Sequence, residues 1–135
     1  MTKRIHITEL DARRLTTLIE RAPRGDARQQ EYLNRLKGEV DRAKIVDEDH
    51  LPNGLITMNS VVELEDLSDG EVMTYQLVFP EEADPAEGRI SILAPLGTGM
   101  LGYKAGDQFS WETPGGKVKM KVRNVSTPPK ASEVL

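Results

Sequence analysis

The 135-residue sequence contains no cysteine. Disulfide scaffolds, thiol catalysis and thiolate metal sites are therefore excluded, and the composition suits a reducing compartment such as the cytoplasm. Aromatic residues make up only 4% of the chain, and there are two histidines, His6 and His50. His6 lies in an alternating lead-in and His50 in a polar connection, so neither resembles an oriented general base. No G-x-S-x-G nucleophile elbow occurs. No apolar run approaches the roughly 18 residues of a membrane span, and Met1 to Glu9 lack the apolar centre of a secretory signal. A net charge of -4 does not suit a general duplex-DNA binder, which needs a dominant basic face.

What is present fits an ordinary folded chain. Hydrophobic residues account for 38% and charged residues for 30%, which excludes intrinsic disorder. The length fits one domain, or one small domain with an appendage. Charge is unevenly spread. Residues 1–45 hold 11 Lys+Arg and 7 Asp+Glu, a net of +4, whereas residues 46–135 hold 7 and 15, a net of -8. A basic segment followed by an acidic one suggests two structural units, residues 1–50 and 51–135.

The first unit reads as an antiparallel helical hairpin. Thr8 is an N-cap residue with Asp11 three positions on. Leu15, Leu18, Ile19 and Ala22 follow the i, i+3, i+4, i+7 template. Ala22-Pro23 ends that helix, because the residue before proline is pushed out of the helical region. Arg24-Gly25 supplies a turn, and Asp26 caps a second helix with Gln29 at the reciprocal position. Leu33, Leu36, Val40 and Ala43 then recur at coiled-coil spacing. About 15 residues per helix gives a length of about 22 Å. Gly38 weakens the second helix by about 1 kcal/mol relative to alanine. The hairpin either packs on the rest of the chain or projects from it; the narrow seam and Arg-rich outer faces favour projection.

Residues 46–54 read as a solvated linker. Asp47, Glu48, Asp49 and His50 are adjacent in sequence and do not converge on one ion unaided. The second unit is β-rich. Val62 and Leu64 alternate with Glu63 and Glu65, Ser68-Asp69-Gly70 is a hairpin turn, and Val72 to Phe79 returns. Ile90, Ile92 and Leu93 form a buried strand ending at Ala94-Pro95. A glycine-rich helix or turn, Leu96 to Lys104, precedes a strand at Gln108 to Thr113. After the turn Pro114-Gly115-Gly116, Val118, Met120 and Val122 alternate with Lys117, Lys119, Lys121 and Arg123. Ser126 to Leu135 is a loosely ordered tail. The whole is α+β around an antiparallel sheet.

Gly97-Thr98-Gly99-Met100-Leu101-Gly102 spells G-x-G-x-x-G. A dinucleotide site also needs a βαβ unit and an acid about 20 residues on, yet residues 113–132 contain no Asp or Glu. The glycines instead allow close backbone packing, and no cofactor is expected. The four cations from Lys117 to Arg123 are read first as a solvated face that discourages edge pairing; the alternative is a patch for an acidic partner.

The segment Gly88 to Gly102, with Ala105-Gly106-Asp107, Thr113 to Val118, Leu64 to Leu67 and Glu82 to Pro85, closely resembles the C-terminal domain of the GreA/GreB transcript-cleavage factors. Thr57-Met58-Asn59-Ser60 and the short N-terminal hairpin look like a narrower branch, the regulators of nucleoside diphosphate kinase. The resemblance implies an FKBP-like C-terminal domain docking on RNA polymerase at the rim of the secondary channel. It also implies a helical tip entering that channel, where tip acids hold a catalytic Mg²⁺. The polymerase performs the chemistry, so the chain itself is expected not to be an enzyme.

The tip departs from the family pattern of an Asp and, three residues on, a Glu. Gly25 and Asp26 match, but Gln29 stands in the third place, and a neutral amide is a poorer Mg²⁺ ligand than a carboxylate. The expectation is a monomeric cytoplasmic regulator that binds polymerase through Pro95, Leu96, Gly97 and Met100. It competes with Gre factors, stimulates no cleavage, holds no metal and contacts neither membrane nor specific nucleic-acid sequence. The alternatives are direct control of a nucleoside diphosphate kinase and a prolyl isomerase.

Overall fold

The computed structural model describes residues 5–23, 25–47 and 53–126. The linker positions Glu48 to Pro52 and the tail beyond Ser126 lie outside the described residues. The chain begins with β1 (His6–Ile7) and α1 (Glu9–Arg21), followed by α2 (Ala27–Asp41) and β2 (Lys44–Ile45). β3 (Val61–Asp66), β4 (Val72–Val78) and β5 (Arg89–Ser91) come next, then α3 (Pro95–Met100), β6 (Gln108–Thr113) and β7 (Gly116–Ser126).

Both long helices begin where their caps dictate. Thr8 Oγ1 accepts the Asp11 amide at 3.1 Å, and Asp26 Oδ1 accepts the Gln29 amide at 2.9 Å. Each bond satisfies one of the amides that a helix start leaves without a partner. α1 stops at Ala22, which is extended ahead of Pro23. Glycine at position 25 has φ +57°, a left-handed conformation that costs it little. The two helices pack on one another. Chain entry and exit are joined by β1 and β2, which pair in parallel, His6 with Lys44 and Ile7 with Ile45.

The five-stranded sheet has the order β5-β4-β3-β7-β6. β3–β4, β3–β7 and β6–β7 are antiparallel, as alternation and the two hairpin turns anticipate. β5 differs: it runs parallel to β4, so the sheet is mixed rather than wholly antiparallel. Two short 3-10 turns, Pro80–Glu82 and Pro85–Glu87, carry the chain back before β5 begins, and a crossover of this kind returns a strand in the same direction. β5 also ends sooner than its apolar run suggests. Ile92 and Leu93 lie in a turn, with Ile92 fully buried beneath it.

Strand β3 is entered through a buried turn at Thr57-Met58-Asn59-Ser60. The Thr57 amide donates to Ser60 Oγ at 2.9 Å, and the Ser60 amide returns to the Thr57 carbonyl at 3.2 Å. Asn59 has φ +71°, and asparagine tolerates this region better than most side chains. The two hydroxyl residues are buried yet satisfied, as buried polar groups require.

One apolar cluster spans the molecule. Ile5, Ile7, Leu15 and Leu36 from the N-terminal segment share it with Ile56, Val62, Leu64, Leu77, Phe79, Met120 and Val122. The base of the helix pair is thus rooted in the core of the sheet. Residues 25–31 at its other end are exposed.

Candidate functional site

Three places carry the residues singled out by the sequence: the helix tip, α3 and the cationic face of β7. At the tip, Gly25, Asp26 and Gln29 come together. The Gln29 side chain folds back against Gly25, while Asp26 bonds the Gln29 backbone. Asp26 is exposed and serves as the cap of α2. Among the described residues, no three His, Asp or Glu side chains converge as metal ligands would.

α3 carries the first four residues of the G-x-G-x-x-G run, and its packing explains Gly97. A Cβ on Gly97 would overlap the carbonyl oxygen of Ser91 and approach Cα of Ile92 to 3.2 Å. Helix and strand backbones therefore meet here with no side chain between them. Thr98 Oγ1 donates to the Ile92 carbonyl at 2.6 Å and ties the same two segments. Close packing thus accounts for Gly97, whereas Gly99 makes only ordinary contacts and Gly102 adopts φ +91°.

The residues expected to dock lie at different depths. Leu96 is only 6% exposed, Met100 is fully buried, and Gly97 is also buried. Leu96 and Met100 belong to the apolar cluster, because a six-residue helix on a sheet must turn its large side chains inward to contribute to the core. Pro95 and Gly99 are the half-buried positions of α3 that reach a surface. They line a cleft between α2 and the β6–β7 hairpin.

That cleft has a volume of about 330 Å³. From α2 it receives Arg28, Glu31, Tyr32 and Arg35. Their i, i+3, i+4, i+7 spacing puts them on one helix face, beside the apolar seam. This stripe was not singled out from the sequence, although its helical spacing is the signal that could have found it; nothing local points to its opposite wall. Ser110, Trp111 and Lys117 close the far side. Arg28, Arg35 and Lys117 form no ion pair with another described residue. The indole nitrogen of Trp111 is buried without a hydrogen-bond acceptor among them.

The cationic stripe of β7 divides into parts with different surroundings. Arg123 bonds Glu65 at 2.9 Å, beside a β-bulge at Glu63/Leu64. Lys121 stands opposite Glu65 in register. Lys117 faces the cleft, and Lys119 is exposed. In the turn after β3, hydrogen bonds from the Ser68 hydroxyl and then its amide to Asp66 hold that carboxyl below its usual range. Partial burial and then the nearby Glu71 charge push the Tyr75 hydroxyl upward.

Residues 51–127 match the family described as transcription elongation factor, GreA/GreB, C-term, and residues 3–46 match Rnk N-terminus. The first of these matches spans more than half of the chain, so the chain belongs to the GreA/GreB family of transcription elongation factors. The regulator of nucleoside diphosphate kinase of Escherichia coli K12 is 38% identical over 112 residues, 83% of this chain and 80% of that protein. The transcription elongation factor GreA of Listeria welshimeri is 35% identical over 94 residues, which cover 70% of this chain and 59% of that one. The solved structure of a GreA/GreB elongation factor from Nitrosomonas europaea superposes with a TM-score of 0.76 at 33% identity. It covers 93% of this chain and 99% of the other. No described helix is long and apolar enough to cross a membrane.

Proposed function

We propose that this protein is a cytoplasmic regulator that docks on RNA polymerase at the rim of the secondary channel. There it competes with Gre-type factors without stimulating transcript cleavage. Family membership supports the partner. The observation that carries the absence of cleavage is the tip: Asp26 stands with Gln29 rather than with a second carboxylate, and its side chain is engaged as the α2 cap. One carboxylate supplies half the anionic ligation that a paired tip offers a divalent cation. Pro95 and the half-buried edge of α3 provide the docking contact, and Leu96, Gly97 and Met100 hold that edge from beneath. The sheet unit is read as FKBP-like by resemblance. Prolyl isomerisation is disfavoured because Phe79 and Phe109 are spent in the core and Tyr103 stacks on Phe109 with ring centres 5.0 Å apart.

The test is displacement of a labelled GreA factor from core RNA polymerase, paired with transcript cleavage in a stalled elongation complex. Displacement without cleavage is the expected result. Failure to displace, or robust cleavage by this protein, overturns the reading. The name of the 38% identical relative favours a second reading, in which the chain binds a nucleoside diphosphate kinase directly; a pull-down offering polymerase and kinase together separates the two.

A further inference from the structure

The cleft between α2 and the β6–β7 hairpin plays no part in the tip chemistry, and its lining is unusual for a packing gap. Three cations, Arg28, Arg35 and Lys117, face it with one anion, Glu31, leaving a local charge of +3 - 1 = +2. None of the three cations is paired with another described residue. Exposed cations gathered around one concavity raise its positive potential and attract anions. Two aromatic side chains, Tyr32 and Trp111, stand in the same lining. The volume of about 330 Å³ lies at the lower end of the range for small-molecule sites. Guanidinium groups favour phosphate through paired hydrogen bonds, while aromatic faces accept a flat heterocycle.

We propose that this cleft binds a mononucleotide, its phosphates held by Arg28, Arg35 and Lys117 and its base against Tyr32 and Trp111. The glycine-rich run has no role as a phosphate cradle; it contributes only part of a wall, at Pro95 and Gly99. The cleft is formed within this one chain, and it shares one wall, Pro95 and Gly99, with the edge of α3 proposed to dock on polymerase, so binding is tested on the free protein.

Trp111 is the sole tryptophan, so it serves as a built-in donor for energy transfer to a methylanthraniloyl-labelled ADP. Transfer that saturates, and is reversed by unlabelled ADP, is expected. Tripolyphosphate lacks a base and should displace the probe only at concentrations about tenfold higher. Arg28→Glu and Arg35→Glu should each weaken binding about tenfold or more. Lys44→Glu makes the same charge reversal at an exposed position on β2, beyond the C-terminal end of α2 and outside the cleft lining, and should change binding less than about twofold. Tyr32→Leu should weaken ADP while sparing tripolyphosphate. Circular dichroism checks that every variant is folded. Absence of saturable transfer up to about 1 mM probe, a scale typical of weak metabolite binding, overturns the proposal. So does an equal effect of Lys44→Glu, or displacement by a glutamate-rich peptide as effective as that by ADP. An oligonucleotide that binds more tightly than ADP per site overturns the assignment to a free mononucleotide.

Discussion

The Arg14 guanidinium lies 3.7 Å from the centre of the Phe79 ring. It also bonds the Glu81 carboxylate at 2.8 Å. One side chain of α1 thereby clasps the end of β4 and the 3-10 turn that follows. Phe79 is buried beneath it, so the cation sits on a desolvated ring face, where such contacts are strongest.

Arg14→Ala should lower stability by about 1 kcal/mol through the lost ring contact, measured by urea unfolding. The pH dependence has a defined sign. The Glu81 carboxyl is held below its usual value of 4.5, first by a hydrogen bond with its own backbone; desolvation opposes this, and the bond and then the charge of Arg14 add smaller lowering effects. A depressed carboxyl stabilises the fold above its unfolded pKa, and that contribution is lost as pH falls through the folded value. The effect of Arg14→Ala should therefore be largest near neutrality and shrink below about pH 4.5, leaving the ring contact. A cost that grows on acidification would contradict this.

Leu96→Ala should cost about 2–5 kcal/mol, the usual range for emptying a buried leucine site. Leu96→Asp should cost more, because it places a carboxylate in the apolar cluster. Neither variant is a clean test of docking. Pro95→Asp is, since its position is half-buried at the start of α3, where an acid is compatible with the helix end. It should keep the melting temperature within a few degrees while weakening polymerase affinity about tenfold, the effect of losing one interface anchor. Unaltered affinity in a folded Pro95→Asp protein would remove this edge from the contact.

The two inner glycines of α3 should respond oppositely. Gly97→Ala forces the Ser91 backbone to move and should cost about 1–3 kcal/mol, as overpacking does. Gly99→Ala meets Trp111 Cβ at an ordinary 3.6 Å. It should be neutral or stabilising by up to about 1 kcal/mol, the helix-propensity gain over glycine. Thermal unfolding of the pair decides the matter; equal losses would show that packing against Ser91 is not what selects glycine.

At the tip, Asp26→Ala should weaken α2 by about 1 kcal/mol, whereas Asp26→Asn should preserve it, because both Asp and Asn accept the Gln29 amide as caps. Asp26→Asn should still displace a Gre factor from polymerase. Gln29→Glu adds a carboxylate to the first turn of α2, favourable to the helix by about 0.3–1 kcal/mol, and should bring little cleavage activity. A large gain of cleavage would show that ligand chemistry alone restrains the tip and that a helix of 15 residues has sufficient reach.

Much of this architecture was legible one residue at a time. Thr8 and Asp26 cap helices because their oxygens meet amides three residues away, and Pro23 stops α1 through its neighbour. Gly70 and Gly116 mark the two hairpins, and alternation at Val62, Leu64, Met120 and Val122 identifies the buried sheet face. These signals act over two to four residues, within the reach of one turn or one pleat, so the sequence carries them by itself. Tertiary structure alone decided the rest. The parallel direction of β5 depends on where two 3-10 turns deliver the chain. The burial of Leu96 and Met100 depends on how α3 lies on β6, since an apolar residue at a helix start reads equally as anchor or as core. Arg35 and Lys117 share a cleft although 81 intervening residues separate them; their proximity is set by the common core that draws α2 onto the sheet, a contact that no local pattern encodes.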